Sequence, residues 1–537
     1  MDFSLISSAF GQVFSLSTFV YTFLGAAGGI LIGCIPGLTA TMGIALLVPF
    51  TYGLEFIPGV AMLLGIFCGG MYGGSISAIL IHTPGTPSAA ATVLEGFPMS
   101  QKGQSARALT ISLFSSFCGG MIGAIVMTFL SPTISKVALK FGPAEFFALA
   151  VFGLSVIVSI SGKSILKGLI TAIFGLLICC VGIDKTCGYI RFLNLPGFYD
   201  GIPFIPALIG LFAISEVLAN FEHLLKGNPA PKAVRAYKTG NAIGNYLRSV
   251  IKNVVPSKED FKAIWPHMLK GGLIGTFIGA IPGAGGDISA FVSYSEAKRT
   301  SKHPENFGHG APEGIAAAES ANNGCSGGAM IPMLALGVPG DSNTAVLMGA
   351  FIMHGFQPGP MMYVEHLDVV YAVFGAIIAA NLAFLIIGML GVNLFSKVIN
   401  IQRYILIPCI LVLSLVGSYS INQSMFDVYF AIVMGVIGYL MQKYEFNLSP
   451  ILLALILGPM SESNIRRYMQ IVDGNFMRIF TRPICVVFFA LAVFSIIAAV
   501  FNQRKIARRV AENAAKSGGD ESSDSESSDS ESFDLES

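Results

Sequence analysis

"HTPGTPSAA" occupies residues 82 to 90, and "GVPGDSNTA" occupies residues 337 to 345. Each follows a long apolar run and sets proline and glycine, then hydroxyls or an amide, where a helix would otherwise continue. Proline removes a backbone donor and blocks the helix. In hydrocarbon a freed N–H or C=O costs several kcal/mol, so such an interruption needs protein, water or a ligand as its partner. Whether the surroundings are hydrocarbon therefore decides how both stretches are read.

Composition answers that question. The chain of 537 residues is 53% hydrophobic and 12% charged, about half the charge of an ordinary soluble domain. Apolar windows such as Phe19–Ile35, Ile111–Leu130, Phe146–Ile160, Val370–Leu394 and Ile484–Phe501 approach or exceed the ~20 residues that cross a bilayer. The expected fold is an all-α polytopic membrane protein with about eleven to thirteen spanning or re-entrant helices. No basic region precedes the first apolar run, so no cleavable signal peptide is expected. Eight basic residues gather between Lys226 and Lys262, and Arg504, Lys505, Arg508 and Arg509 follow the last apolar run. The positive-inside rule puts both regions in the cytoplasm and the N-terminus outside, which requires an odd number of spans. The tail from Ser517, "SGGDESSDSESSDSESFDLES", is acidic and of low complexity and cannot bury a core. The nine cysteines form no C-x-x-C or zinc spacing and are read as small buried residues.

Self-comparison relates the two opening stretches. "GCIPG" at 33–37 returns as "GAIPG" at 279–283, an offset of 246; "TPG" at 83–85 returns as "VPG" at 338–340, an offset of 255. More weakly, "LFAISE" ending at Glu216 matches "LGPMSE" ending at Glu462. Markers in one order at nearly constant spacing indicate duplication. The expected organisation is a first transmembrane repeat at 1–221, a basic cytoplasmic linker at 222–262, a second repeat at 263–502 and a basic-then-acidic tail at 503–537. Paired repeats of inverted topology with broken helices are a common transporter plan, with substrate held near the midplane.

The broken helices nominate residues. A half-helix start exposes N–H groups and a positive dipole end that favour an anion. Thr83, Gly85, Thr86 and Ser88 in the first repeat, and Gly340, Ser342, Asn343 and Thr344 in the second, are the expected carboxylate contacts. Position by position, Thr41 aligns with Asp287 and Thr86 with Asp341, a hydroxyl against an acid each time. An intramembrane acid costs ~2.5–3.5 kcal/mol on insertion scales and is a functional candidate by default. Asp287 and Asp341, with Pro36, Gly37, Thr39, Thr41, Pro282 and Gly283, are the cation-binding candidates; the competing role for either acid is a helix cap. Sodium would use carbonyls and hydroxyls here, whereas a proton would need a carboxyl. Glu313 and Glu319, just before "ANNG", read as the polar mouth of a re-entrant segment. Of seven histidines, His82 and His354 lie nearest these stretches, and His309 falls in a polar loop.

These residues carry a family resemblance. "GCIPGLTATMGIALLVPFTYGL", "GGMYGGSISAILIHTPGTPSAAATVLEGFPM", "GAIPGAGGDISAFVSYSEAKR", "EGIAAAESANNG" and "GVPGDSNTAVLMGAFIMHGFQPGP" together resemble the large membrane (permease) subunit of the tripartite tricarboxylate transporters, from about residue 15 to 500. The resemblance implies a bacterial inner-membrane permease importing di- or tricarboxylates, citrate among them, by cation symport with Na+ or H+ and without a cofactor. It implies two partners, a small four-helix membrane subunit and a periplasmic substrate-binding protein. The acidic tail falls outside the family pattern. An autonomous carboxylate symporter is the alternative. An enzyme is not expected: the chain has no G-x-S-x-G and no H-E-x-x-H, and "GAGGDIS" lacks the lysine of a P-loop.

Overall fold

The computed structural model describes residues 3–160, 164–184, 188–192, 194–226, 256–398 and 403–501. Most of the basic linker and the whole acidic tail lie outside the described residues. The first half contains α1 (Phe3–Val13), α2 (Leu16–Gly33), α3 (Ala40–Thr51), α4 (Phe56–Ile81), α5 (Ala90–Gln101), α6 (Ser105–Ala138), α7 (Pro143–Ile160) and α8 (Ile165–Cys179). It ends with α9 (Phe204–Leu208), which runs through a π-helical segment, Ile209–Ile214, into α10 (Ser215–Leu225). The second half contains α11 (Lys258–Gly279), α12 (Gly285–Thr300), α13 (Pro312–Leu336), α14 (Ser342–Met353), α15 (Met362–Glu365), α16 (Leu367–Val398), α17 (Arg403–Asn422), α18 (Met425–Lys443) and α19 (Ser449–Ile471), followed by α20 (Pro483–Phe501). A two-residue ribbon, Gly182–Ile183 against Ile190–Arg191, accounts for the strand among the described residues.

Seven of the described helices, counting α9 to α10 as one, are long and apolar enough to cross a membrane. Five shorter apolar helices accompany them: α3, α8, α14, and the stretches Pro143–Val156 of α7 and Ile407–Asn422 of α17. The expected all-α polytopic class is the one observed.

Two helices form the heart of the molecule. α4 is buried along its whole candidate span, and α13 is buried from Gly314 to Ala335. Small residues let them pack closely. A Cβ added at Gly65, Gly69 or Gly73 of α4 would meet the carbonyls of Thr22, Ala26 or Ile30 of α2 at 2.6, 2.5 and 2.6 Å. On α13, a Cβ at Gly324 would meet the Gly272 carbonyl of α11 at 2.6 Å, and Gly327 abuts Gly123 of α6. Stripes of small residues at four-residue spacing allow such backbone-to-backbone approach between apolar helices. α4 packs on α2 and α16, and α13 on α11 and α6, so each central helix also touches the other half of the chain.

The helix ends sort into two groups. At one, the end of α3, the start of α4 and the end of α14 meet: Phe56 packs edge-on to Phe351 and His354, and His354 Nε2 lies 3.4 Å from Thr51 Oγ1. At the other, the ends of α5 and α12 join the starts of α6, α11 and α13. There Arg107 pairs with Asp260, Lys102 Nζ donates to the His309 carbonyl at 2.7 Å, and Tyr294 packs on Phe307. α4 therefore runs inward from one end and α13 from the opposite end.

Candidate functional site

Four connections come together between those ends, each joining two helices: Cys34–Thr39, His82–Ala89, Ala280–Ala284 and Gly337–Asp341. α4 stops at His82, in the left-handed region at φ 58°; α13 stops at Gly337, φ 72°. After α4, a 3₁₀ turn over Pro87–Ala89 leads into α5. After α13, Asp341 caps α14 directly.

The proline–glycine pairs sit where no side chain fits. A Cβ at Gly85 would press on the Gly33 carbonyl and lie 2.7 Å from Ser77 Oγ, and a Cβ at Gly340 would lie 2.6 Å from the Gly279 carbonyl and 2.5 Å from Ala329 Cα. Each connection is thereby seated on the end of the preceding hairpin. The Gly283 N–H donates to the Gly340 carbonyl at 2.6 Å and the Gly85 N–H to the Gly74 carbonyl at 3.2 Å. Those bonds satisfy part of the backbone that the helix ends leave unpaired.

The expected site residues divide by position. Thr86 and Ser88 are buried, with their hydroxyls 3.1 Å apart, and Ser88 Oγ faces Met71 Sδ at 3.9 Å. Thr41 Oγ1 donates to Asn343 Oδ1 at 2.7 Å, tying the first connection to the last. Asn343 also reaches Met71 Sδ, and a Cβ at Gly286 would meet Met71 Cε at 2.6 Å, Asn322 Oδ1 at 2.8 Å and Ser88 Cβ at 3.2 Å. Thr41, Thr86, Ser88 and Asn343 therefore surround Met71 and the first turn of α12. Asp287, in that turn, is exposed, and a Cβ at Gly285, two residues before it, would lie 3.9 Å from Asp341 Cβ. Pro282 is buried and Gly283 half-buried beside them.

Others lie apart. Ser342 turns to Ser449 at the start of α19, with hydroxyls 2.8 Å apart. Thr83 Oγ1 bonds back to the Ile81 carbonyl at 3.3 Å, and Thr39 is spent capping α3 through the Met42 N–H at 3.2 Å. Pro36 lines an apolar crevice with Ile35, Leu38, Met42, Val217 and Ile407, and Gly37 is exposed beside Glu216 and Asn220 of α10. Glu462, aligned with Glu216 in the sequence, is instead in an ion cluster: 2.7 Å from both Arg191 and Arg466.

Asp341 shows how a cap is built. Its Oδ1 accepts from the Thr344 N–H at 2.8 Å and Thr344 Oγ1 at 2.7 Å, its Oδ2 accepts from Asn343 Nδ2 at 3.0 Å, and Thr344 Oγ1 accepts from the Asp341 N–H at 2.9 Å. This reciprocal box gives Thr344 its role too. Asp287 has no comparable set of side-chain bonds, and it stands in the first turn of a helix, where an anionic side chain is favoured by the dipole.

Sequence reasoning passed over Glu95 and Met71. Glu95 is fully buried on α5, and it accepts from Tyr294 Oη at 2.7 Å and from the N–H groups of Gly308, Gly310 and Ala311 at 2.6, 2.7 and 2.8 Å. It thereby fastens α5 to the loop before α13. An acid inside an apolar segment was the available signal. Met71 offered none, since methionine is unremarkable in a helix interior.

The chain matches the tripartite tricarboxylate transporter TctA family over residues 19–453. It is 35% identical over 498 residues, 93% of this chain and 96% of the relative, to an uncharacterized 52.8 kDa protein in the TAR-I ttuC' 3' region of Agrobacterium vitis. A second Agrobacterium vitis relative, an uncharacterized protein in the TAR-II ttuC' 3' region, is 36% identical over 226 residues, 42% of this chain and 93% of that one. No solved structure matches. A polytopic helical chain matched over four-fifths of its length is thus placed in a family of transporters: it belongs to the tripartite tricarboxylate transporter TctA family.

Proposed function

We propose that this chain is the permease that moves a di- or tricarboxylate, or a related organic acid, inward through the plasma membrane of a bacterium by cation symport. A periplasmic binding protein delivers the substrate, and a small four-helix subunit completes the assembly. The N-terminus is periplasmic, and the linker and tail are cytoplasmic. The observation that carries the reading is the meeting of four helix-terminating connections around Thr41, Thr86, Ser88 and Asn343, deep inside a helical membrane protein.

Two repeats of inverted topology, 1–221 and 263–502, account for this meeting. Supporting observations fall at matched positions. Gly37 and Gly283 both have φ near +90°, at +93° and +87°. His82 and Gly337 are both left-handed, and Gly85 and Gly340 each press on the glycine carbonyl that ends the preceding helix, Gly33 or Gly279. α4 and α13, the matched helices, enter from opposite ends. In this scheme α4–α5 and α13–α14 are broken helices. The starts of α5 and α14 face the substrate, with Gly85, Thr86, Ser88, Gly340, Asn343 and Thr344 forming the anion side. Thr83 and Ser342 support it from the flanks.

Cation coupling follows from the potential. Moving a dianion inward against an inside-negative potential costs about 4.6 kcal/mol per 100 mV, from ~2.3 per charge. Two cations cancel that and a third makes the potential drive import. Asp287, with the carbonyls of Pro282 and Gly283, is the better-placed cation group, since Asp341 is committed to its cap. Thr41 completes the set; Pro36, Gly37 and Thr39 stand farther out and shape the first connection. An autonomous symporter would share this centre but work without a receptor. The test is uptake into proteoliposomes, with and without a sodium gradient, using purified binding protein and a panel of carboxylates. Gradient-independent uptake would remove the symport, and full uptake without the receptor would favour the alternative.

A further inference from the structure

A second buried polar cluster lies outside that centre, where α13 meets α5 and α6. Glu319 of α13 is 0% exposed. Its Oε1 accepts from Thr92 Oγ1 of α5, and its Oε2 accepts from Ser116 Oγ of α6 at 2.8 Å. Ser112, one turn earlier on α6, adds a further hydroxyl to this cluster, 2.6 Å from Ser75 Oγ of α4. Every partner is a hydroxyl. Among the described residues no ion pair reaches Glu319.

The ionisable groups toward this end are otherwise engaged or apart. Glu95 of α5 is held by Tyr294 of α12 and three N–H groups. Arg107 of α6 pairs with Asp260 of α11. His267 of α11 and Glu313 in the first turn of α13 are each half-buried. Between Phe56 and Ile81, α4 carries no charged side chain.

An isolated carboxylate in such a place is costly, and a carboxyl that can neutralise itself does so. The hydroxyls suit both states, because a hydroxyl donates to a carboxylate and accepts from a carboxylic acid. Thr92, Glu95 and Met99 lie on one face of α5, and Ser88 precedes that face by one turn. Glu319 therefore holds the half-helix whose start carries Thr86 and Ser88. One turn further along α13, Asn322 Nδ2 donates to the Met71 carbonyl at 3.2 Å, while Asn322 Oδ1, Asn323 Oδ1 and Ser115 Oγ are buried without partners. Unsatisfied buried acceptors are rare and call for a donor. Asn322 Oδ1 lies 2.8 Å from a Cβ placed at Gly286, in the first turn of α12, so the polar groups of α13 extend from Glu319 to the central site.

We propose that Glu319 is a proton-carrying group of the transport cycle, taking one coupling proton into the hydroxyl cluster of Thr92, Ser112 and Ser116 and passing it on as α5 shifts. The step is a proton transfer only. An O–H bond forms on a Glu319 oxygen at the expense of a hydronium ion on one side of the membrane, and breaks to water on the other. This deepens the symport reading and rests on it: Glu319 carries one of the coupling charges, separate from the cation group at Asp287.

Two measurements test it independently. The first is infrared difference spectroscopy of the purified permease in lipid, titrated over about pH 5 to 9, a range that includes documented buried carboxyls. Wild type and Glu319→Asp should each show a carboxylic-acid C=O band that disappears as pH rises, shifted in position in Glu319→Asp; Glu319→Gln should lack it. The second is proteoliposome transport of labelled citrate. Glu319→Gln should lose acceleration by an inward proton gradient while keeping citrate counterflow. A band unchanged in Glu319→Gln, or in Glu319→Asp should Glu319→Gln not fold, overturns the proposal. So does wild-type proton-gradient acceleration in Glu319→Gln. Wild type that moves no carboxylate from the panel would defeat the transport reading, and the infrared titration would still decide whether Glu319 exchanges a proton.

Discussion

Replacing Gly340 with alanine tests the close seating of the second connection. The added Cβ would lie 2.5 Å from Ala329 Cα, 2.6 Å from the Gly279 carbonyl and 2.7 Å from Ala329 Cβ. Carbon atoms rest at about 3.5–4.0 Å, so the connection must move by roughly 1 Å. No rotamer change relieves the contact, because its first two partners are backbone atoms. Overpacking of this kind costs about 1–3 kcal/mol. The same movement stretches the Gly283–Gly340 hydrogen bond, 2.6 Å long, which is worth about 0.5–1.5 kcal/mol net. A total of about 1.5–4.5 kcal/mol follows, or on the order of 10- to 1,600-fold in the population of the closed centre at ~1.4 kcal/mol per tenfold. Cys34, Cys68 and Cys325 are free and buried, so a fluorescent maleimide that reacts as the protein opens reports the loss during heating. Gly28→Ala is the control: nothing lies within 4 Å of its Cβ position, and alanine is the better helix former by about 1 kcal/mol. Gly340→Ala should open several degrees below Gly28→Ala and lose uptake. If the two open together, and Gly340→Ala transports normally, the proposed close packing is wrong.

Thr86→Val with Ser88→Ala removes two buried hydroxyls from the centre and should raise the carboxylate concentration for half-maximal uptake with insertion intact; unchanged kinetics refute the anion role. Asp341→Ala should lower stability by about 0.5–2 kcal/mol through loss of its cap, read in the same thermal assay, and wild-type stability would mean the box contributes nothing. Asp287→Asn should leave stability near wild type but demand more sodium, or a lower pH, for half-maximal uptake; wild-type cation dependence removes Asp287 from the coupling site. Ending the chain after Ser517 should leave uptake near wild type, and a large loss at equal expression would give the acidic tail a role.

Much of the architecture was legible because membrane segments announce themselves. Their apolar runs, the two proline–glycine pairs and the small residues of α4 and α13 all leave a linear trace. Asp341 was legible as either cap or ligand, and the bonds from Thr344 and Asn343 show the cap. The partner of Ser342 had no trace in the sequence, because Ser449 is supplied by a helix that begins 107 residues later. The two matched glutamates, Glu216 and Glu462, look alike in sequence but sit beside Gly37 and in the Arg191–Arg466 cluster respectively. Similar local sequence does not fix the neighbours supplied by distant segments. Contacts such as Thr41 with Asn343, 302 residues apart, have no linear trace in a single sequence.

The interlocking of the halves bears on how the centre could open. α13 is held by α6, and α4 by α16, so neither half carries its own hairpin free of the other. The ties between halves include backbone approaches between small residues, such as Gly123 of α6 with Gly327 of α13 and Gly119 of α6 with Ser320 of α13. Close-packed contacts of this kind favour discrete arrangements over gradual deformation. The half-helix α5 is different. Its polar face is joined to α13 and to the loop before it by hydroxyl and carboxylate bonds, at Thr92 with Glu319 and at Glu95 with Gly308, Gly310 and Ala311. Such bonds can be exchanged for bonds to water or to a rearranged partner at a smaller cost than separating interdigitated backbones. In the proposed function, motion that admits a carboxylate to Thr86 and Ser88 would break fewer close-packed contacts along this polar face of α5 than between α4 and α2 or α13 and α6. In that scheme α4 and α13 would be the frame against which α5 moves.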